Sequence, residues 1–93
     1  MTHMENADIA NKITKFITSS FASARRQKIN DDTNLLENGV VDSMGVLELV
    51  TFLQDEFSLA VSDDQLSPEN FQDVRSMVRF VQQSVQLQSG SIP

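Results

Sequence analysis

Gly39-Val40-Val41-Asp42-Ser43-Met44 closes a turn and opens a run that continues to Phe57, and the reading of residues 39–57 decides the fold. At about 100 degrees per residue the run separates into two faces. Val46, Leu49, Val50, Leu53 and Phe57 follow an i, i+3, i+4, i+7, i+11 series, which predicts a helix over 43–57 with this stripe in the core. Met44, Leu47, Glu48, Thr51 and Asp55 gather on the other side. Apolar groups flanked by carboxylates suit a transient docking surface, with apolar contact for affinity and charge for steering. The bland reading makes Met44 and Leu47 the edge of the core.

Ser43 stands where this helix begins. Asp42 or Ser43 could each act only as a cap for backbone N–H groups that lack intrahelical partners. The other reading makes Ser43 a working hydroxyl. Nucleophilic use of serine needs an adjacent base, and the sole histidine is His3, in a terminal segment, so a Ser-His triad is not expected. Cysteine is absent, which removes thiol catalysis, disulfides and Cys-based zinc sites. If Ser43 takes part in chemistry, another enzyme acts on it.

Upstream, Ile9, Ile13, Phe16, Ile17 and Phe21 fall near helical spacing and predict a first helix over about 5–24. Arg25, Arg26 and Lys28 follow, where cations meet the negative end of the helix dipole. From Ile29 to Val41 the pattern breaks into a long loop, with Leu35, Leu36 and Val41 expected to plug the core. An EF-hand starting at Asp31 would need glycine at Leu36 and glutamate at Asp42, so that motif is rejected and no metal site is expected. The acidic run reads as a solvated loop in which Asp32 or Asn34 stabilises turns.

Downstream, Ser58 to Ser62 reads as an extended connector with Leu59 and Val61 inward. Ser67-Pro68-Glu69-Asn70-Phe71 places a capping serine before a proline at the tolerated first helical position, and predicts one short helical turn anchored by Phe71. Asp73 can cap a last helix whose Val74, Met77, Val78, Val81 and Val85 repeat the core stripe. Three substantial helices and one short one, with a long first loop, can enclose one core as an all-α, irregular four-helix bundle.

Ninety-three residues make one small domain, here assigned to 5–85, with a flexible N-terminus at 1–4 and a flexible tail at 86–93. Thirteen acidic against seven basic residues give a net charge of −6, which disfavours nucleic acid and anionic membranes and favours a basic protein surface as partner. No apolar run reaches 18 residues and no leader signal is present, so no membrane insertion is expected and a cytoplasmic monomer is the default.

Gly39-Val40-Val41-Asp42-Ser43-Met44, Glu48-Leu49-Val50 with Phe57 beyond it, and Leu66-Ser67-Pro68-Glu69-Asn70-Phe71 together resemble the acyl carrier protein and peptidyl carrier protein family. The resemblance spans about residues 5–85. It implies that Ser43, flanked by Asp42, is the attachment site of a 4'-phosphopantetheine arm, transferred from coenzyme A by a separate phosphopantetheinyl transferase using magnesium. It further implies a carrier that does no chemistry itself and holds an acyl or aminoacyl group as a thioester. An adenylate-forming acyl or aminoacyl ligase would load it, and a downstream transferase or condensing enzyme would unload it. Many fatty-acid carriers have an acidic residue where this chain has Gly45, and Gly45-Val46-Leu47-Glu48-Leu49-Val50 is more similar to stand-alone carriers of the D-alanyl and other aminoacyl type. Gly45 reads either as a place of local flexibility or close partner approach, or as an unoptimised surface position. An unmodified adaptor using the same Met44, Leu47 and Glu48 surface is the alternative from another class.

Overall fold

The computed structural model describes residues 5–90, with side chains as far as 85. In chain order it contains α1 (Asn6–Ser20), α2 (Ala22–Arg26), α3 (Ser43–Phe57), a 3-10 turn (Asp63–Gln65), α4 (Pro68–Phe71) and α5 (Val74–Gly90). The all-α irregular bundle read from the sequence is the fold: α1, α3 and α5 are the long helices and α4 the short one. The short α2 and the 3-10 turn are additions to it. No helix among the described residues is long and apolar enough to cross a membrane.

The single helix expected over 5–24 is broken at Phe21, whose backbone is extended at φ −119° and ψ 112°. Ser19 and Ser20 are modest helix formers, and Arg25 supplies what the helix loses by stopping there. Its guanidinium donates to the Thr18 carbonyl at 2.7 Å and the Ser19 carbonyl at 3.1 Å. Those are last-turn acceptors that the break leaves without intrahelical donors, and a cation there also meets the negative end of the dipole. Ile9, Ile13 and Ile17 stay on one buried line, and α1 packs chiefly on α5.

The loop between α2 and α3 is tied to the far end of the chain. The Leu35 amide donates to the Gln72 carbonyl at 2.7 Å, and the Arg75 amide to the Asp31 carbonyl at 2.9 Å. Asn30 and Asn34 build the turns, their side-chain oxygens accepting from the Asp32 and Glu37 amides. Of the two turn candidates, Asp32 or Asn34, it is Asn34 that serves; the Asp32 carboxylate instead receives the Arg75 guanidinium on both oxygens. Leu35 and Val41 enter the core together with Val40, while Leu36 is only half-buried. Gly39 sits at φ +72°, the left-handed region that favours glycine.

Beyond α3, Ser58 ends the helix in a left-handed conformation (φ 53°, ψ 48°), and its amide donates to the Gln54 carbonyl. Leu59 is buried and Val61 packs against the core, as the connector reading requires. The 3-10 turn starts from a capping box in which Ser62 and Gln65 bond each other's backbone. Ser67 accepts from the Glu69 amide with Pro68 first in α4, and Asp73 accepts from the Ser76 amide at 2.7 Å to cap α5. Phe71 is fully buried, its ring 5.5 Å from that of Phe80.

Besides Leu36, two expected core positions differ. Val46 is half-buried, because the buried line of α3 runs through Gly45, Leu49, Leu53 and Phe57. Val85 is exposed, and Phe80 and Ser84 are buried. Gln82 already meets Asn6, at the start of α1, through a 2.7 Å hydrogen bond, so Val85 lies almost a turn further along α5. The tail expected from residue 86 is still helix as far as Gly90. The flexible segment expected at 1–4 and the last residues, 91–93, lie outside the described residues.

Candidate functional site

Asp42 decides what Ser43 is free to do. It is the N-cap of α3, in extended backbone conformation, and its Oδ1 accepts from the Gly45 amide at 2.8 Å. Ser43 is thus the first residue inside the helix, exposed, with its hydroxyl in no hydrogen bond among the described residues. The cap reading belongs to Asp42. The Ser43 hydroxyl projects at the positive end of a 15-residue helix, where unpaired N–H groups and the dipole both favour an added phosphate. His3, the sole candidate base for a triad, lies outside the described residues.

Below Ser43, the structure brings all five residues of the second face together. Met44 (71% exposed), Leu47 (56% exposed), Glu48, Thr51 and Asp55 line an open groove of about 620 Å³, completed by Phe16, Phe52 and Glu56. Met44 and Leu47 are therefore surface, not the edge of the core. The floor is aromatic: Phe16 of α1 and Phe52 of α3 stack at 4.2 Å between centroids, nearly parallel at 12°. Phe21 and Phe57 meet this pair edge-on, each at 6.2 Å. At the rim, the Lys12 ammonium donates to a Glu56 carboxylate oxygen at 2.9 Å and bridges α1 to α3.

Phe16 and Phe52 are groove residues that sequence reasoning did not assign to the site. Phe52 carried a legible signal, lying four residues beyond Glu48 and eight beyond Met44 on the same face. Phe16 did not, since its apolar character and spacing also fit the core stripe of α1.

Gly45 corrects a second expectation. It is buried, so it is not a surface position. A Cβ there would lie 2.8 Å from Cε1 of Phe21 and 2.9 Å from Cγ1 of Val41. The signal was present: Gly45, Leu49, Leu53 and Phe57 are spaced four apart, so Gly45 occupies the first position of the buried line.

A model of the phosphopantetheine attachment site family matches residues 17–81. Similar proteins include a probable acyl carrier protein, PigG, of a Serratia species, 31% identical over 74 residues that cover 80% of this chain and 85% of that one. Aminoacyl carrier protein 2 of Bradyrhizobium diazoefficiens is 29% identical over 90 residues, covering 96% and 98% of the two chains. An acyl carrier protein of Lactobacillus johnsonii is 35% identical over 78 residues, covering 84% and 94%.

Proposed function

The chain belongs to the phosphopantetheine attachment family, and on that premise we propose that Ser43 is the residue to which its arm is joined. The protein is a carrier bearing a covalent 4'-phosphopantetheine group. The single observation that supports Ser43 is its exposed hydroxyl at the first position of α3, released from capping by the Asp42 bond to Gly45. In the transfer, Ser43 Oγ forms a bond to the phosphorus of coenzyme A that carries the pantetheine. The bond from that phosphorus to the bridging oxygen of the pyrophosphate breaks, adenosine 3',5'-bisphosphate leaves, and the hydroxyl proton passes to a base on the transferase. The chain supplies the nucleophile and an N-terminal dipole that stabilises the phosphodiester. The bound arm supplies a thiol on which an acyl or aminoacyl group is held as a thioester.

The rest of the chain orients and presents. It performs no catalysis in this reading. Carriers of this family work with synthetases and transferases. The partners we assign here are a phosphopantetheinyl transferase, an adenylate-forming acyl or aminoacyl ligase, and a downstream transferase or condensing enzyme. The aminoacyl carrier protein among the similar chains favours the ligase as the loading enzyme. Met44, Leu47, Glu48, Thr51 and Asp55 would meet these enzymes in turn, with Phe16 and Phe52 as an apolar floor. The carboxylates along the groove suit partners with basic rims, which steers association without making release slow. This reading places a monomeric carrier in the cytoplasm, with coenzyme A as donor. The adaptor alternative is not favoured, because an unmodified adaptor gives no reason for the match to a phosphopantetheine attachment family.

The test is intact-mass measurement of the apo-protein after incubation with coenzyme A, magnesium and a permissive transferase. One phosphopantetheine should be added per chain, with fragment masses assigning it to Ser43. Addition at another residue would remove Ser43, and no addition by several transferases would remove the whole proposal.

A further inference from the structure

The break after Ser20 turns the Phe21 ring toward the beginning of α3. Its Cε1 and Cζ come so close to Gly45 that a Cβ at 45 would lie 2.8 Å and 3.2 Å from them, while Val41 Cγ1 would be 2.9 Å away. Carbon atoms in ordinary contact sit about 3.5–4 Å apart, so only a residue without a side chain lets the ring occupy this place. Gly45 is also the residue whose amide is held by the Asp42 carboxylate. The first turn of α3 is therefore fixed on two sides: Asp42 holds its backbone, and Phe21 with Val41 sets how far it stands from the core. Ser43 lies within that same turn, two residues before Gly45.

We propose that Phe21 and Gly45 form one positioning unit for Ser43, in which the ring fills the space of the missing side chain and fixes the place of the Ser43 hydroxyl for phosphopantetheine transfer. The inference rests on Ser43 being the attachment residue. A glycine near the start of a helix would otherwise cost stability relative to alanine for nothing. Its buried position explains the cost: close packing replaces helix propensity. Phe21 has a second support, because its ring also meets Phe16 edge-on, at 84°, so its seat is held from α1 as well. Neither residue touches the reacting phosphorus; both act through the first turn of α3.

Steady-state loading of the apo-protein tests this, with coenzyme A, magnesium and one permissive transferase, at a temperature where unfolding curves show each variant folded. Gly45→Ala must displace the ring or lift the turn. A displaced nucleophile costs rate steeply, so kcat should fall about tenfold with KM for the carrier within about twofold of the parent. Phe21→Leu removes Cε1 and Cζ, so in the Gly45→Ala background it should restore most of the lost kcat. The double variant should then load within about threefold of Phe21→Leu alone, the remaining gap coming from Val41 Cγ1, which a Cβ at 45 would still meet at 2.9 Å. A merely structural role would lower the melting temperature and leave kcat of the folded protein unchanged. Parent-like loading by Gly45→Ala, or no recovery on adding Phe21→Leu, would overturn the proposal. Should Gly45→Ala not fold, Phe21→Leu against the double variant decides: comparable loading supports the unit, and a tenfold gap between them overturns it. Loading by the parent at Ser43 in the same series separates this outcome from a failure of the functional reading itself.

Discussion

The Asp42 carboxylate accepts the Gly45 amide proton at 2.8 Å and so takes the cap of α3 away from the serine between them. Two neighbouring polar residues that look interchangeable in the sequence are thereby given separate duties. Ser43→Ala should abolish arm attachment by intact mass and change unfolding free energy by less than about 0.5 kcal/mol, as for an ordinary surface substitution. Asp42→Ala should instead cost about 0.5–2 kcal/mol through loss of the cap. Urea unfolding of both variants checks the pair, and a larger loss in Ser43→Ala than in Asp42→Ala would contradict the assignment.

Leu53 is fully buried and Leu47 is 56% exposed, although they lie on the same helix. Leu53→Ala should destabilise the domain by roughly 2–5 kcal/mol, the range for a buried leucine that leaves a cavity. Leu47→Ala should stay within about 0.5 kcal/mol. Thermal unfolding of the two single variants is sufficient, and equal losses would take Leu47 out of the proposed docking surface.

Glu48 and the apolar pair Met44 and Leu47 should act on different rates. Glu48→Lys should slow association with a ligase that loads this carrier and flatten its salt dependence, since exposed charges are screened over about 8 Å at physiological ionic strength. Met44→Ala and Leu47→Ala should mainly hasten dissociation. Loading kinetics of arm-bearing variants across a salt series distinguish the two effects. Parent-like behaviour of all three at every salt concentration would move the docking face elsewhere, to residues 31–41 or the surroundings of Phe71.

The Asp32–Arg75 pair gives a pH signature. A hydrogen bond from Arg75, helped by its charge, holds the Asp32 carboxyl below the ordinary aspartate range, and the same bond raises Arg75 further above neutrality. A carboxylate with a depressed folded-state value contributes stability above its unfolded value and loses it as pH falls through the folded value. Asp32→Asn should therefore be less stable than the parent at neutral pH, and the difference should vanish in strong acid. Both groups are exposed, so added salt should shrink the difference as well. Unfolding curves of parent and variant from neutral to acid pH, with and without salt, provide the measurement.

Ser58 occupies the left-handed region at the end of α3 with a side chain that this region disfavours. Ser58→Gly should stabilise the domain by roughly 0.5–1 kcal/mol, the relief of the Cβ clash less the extra freedom of an unfolded glycine. Destabilisation on chemical unfolding would show that the hydroxyl contributes more than the geometry suggests.

Much of this was legible in the chain because helical spacing is a local property. The limits of α3, the Ser67-Pro68 start of α4 and the Asp73 cap each depend on residues within a few positions of one another. What escaped depends on distant residues. Phe21 looked like one more member of the line through Ile13 and Ile17, and no local pattern announces that Arg25 will cap the carbonyls of Thr18 and Ser19 and let the helix stop. Phe16 became a groove residue only because α1 crosses α3 there. Val85 is uncovered because α1 begins beside Gln82. In the candidate site, the place of Ser43 at the start of α3 and the face below it, Phe52 included, were legible in the sequence, while the Phe16 half of the aromatic floor and the Phe21–Gly45 packing required three dimensions.

The packing of α1 on α5 has a consequence for the order in which the protein can be made. Ile9, Ile13 and Ile17 leave the ribosome well before their chief partner helix, which begins only at Val74. The bonds from Leu35 to Gln72 and from Arg75 to Asp31 likewise join early residues to late ones. Contacts so far apart in the chain pay loop-closure entropy before they return any stability. Until α5 emerges, the apolar faces of α1 and α3 lack their partner, so core closure and the pinning of the long loop should coincide with the emergence of α5. A nascent chain whose α5 is still inside the ribosome should bind a hydrophobic holdase and be cut readily by protease, and one whose α5 has fully emerged should resist both.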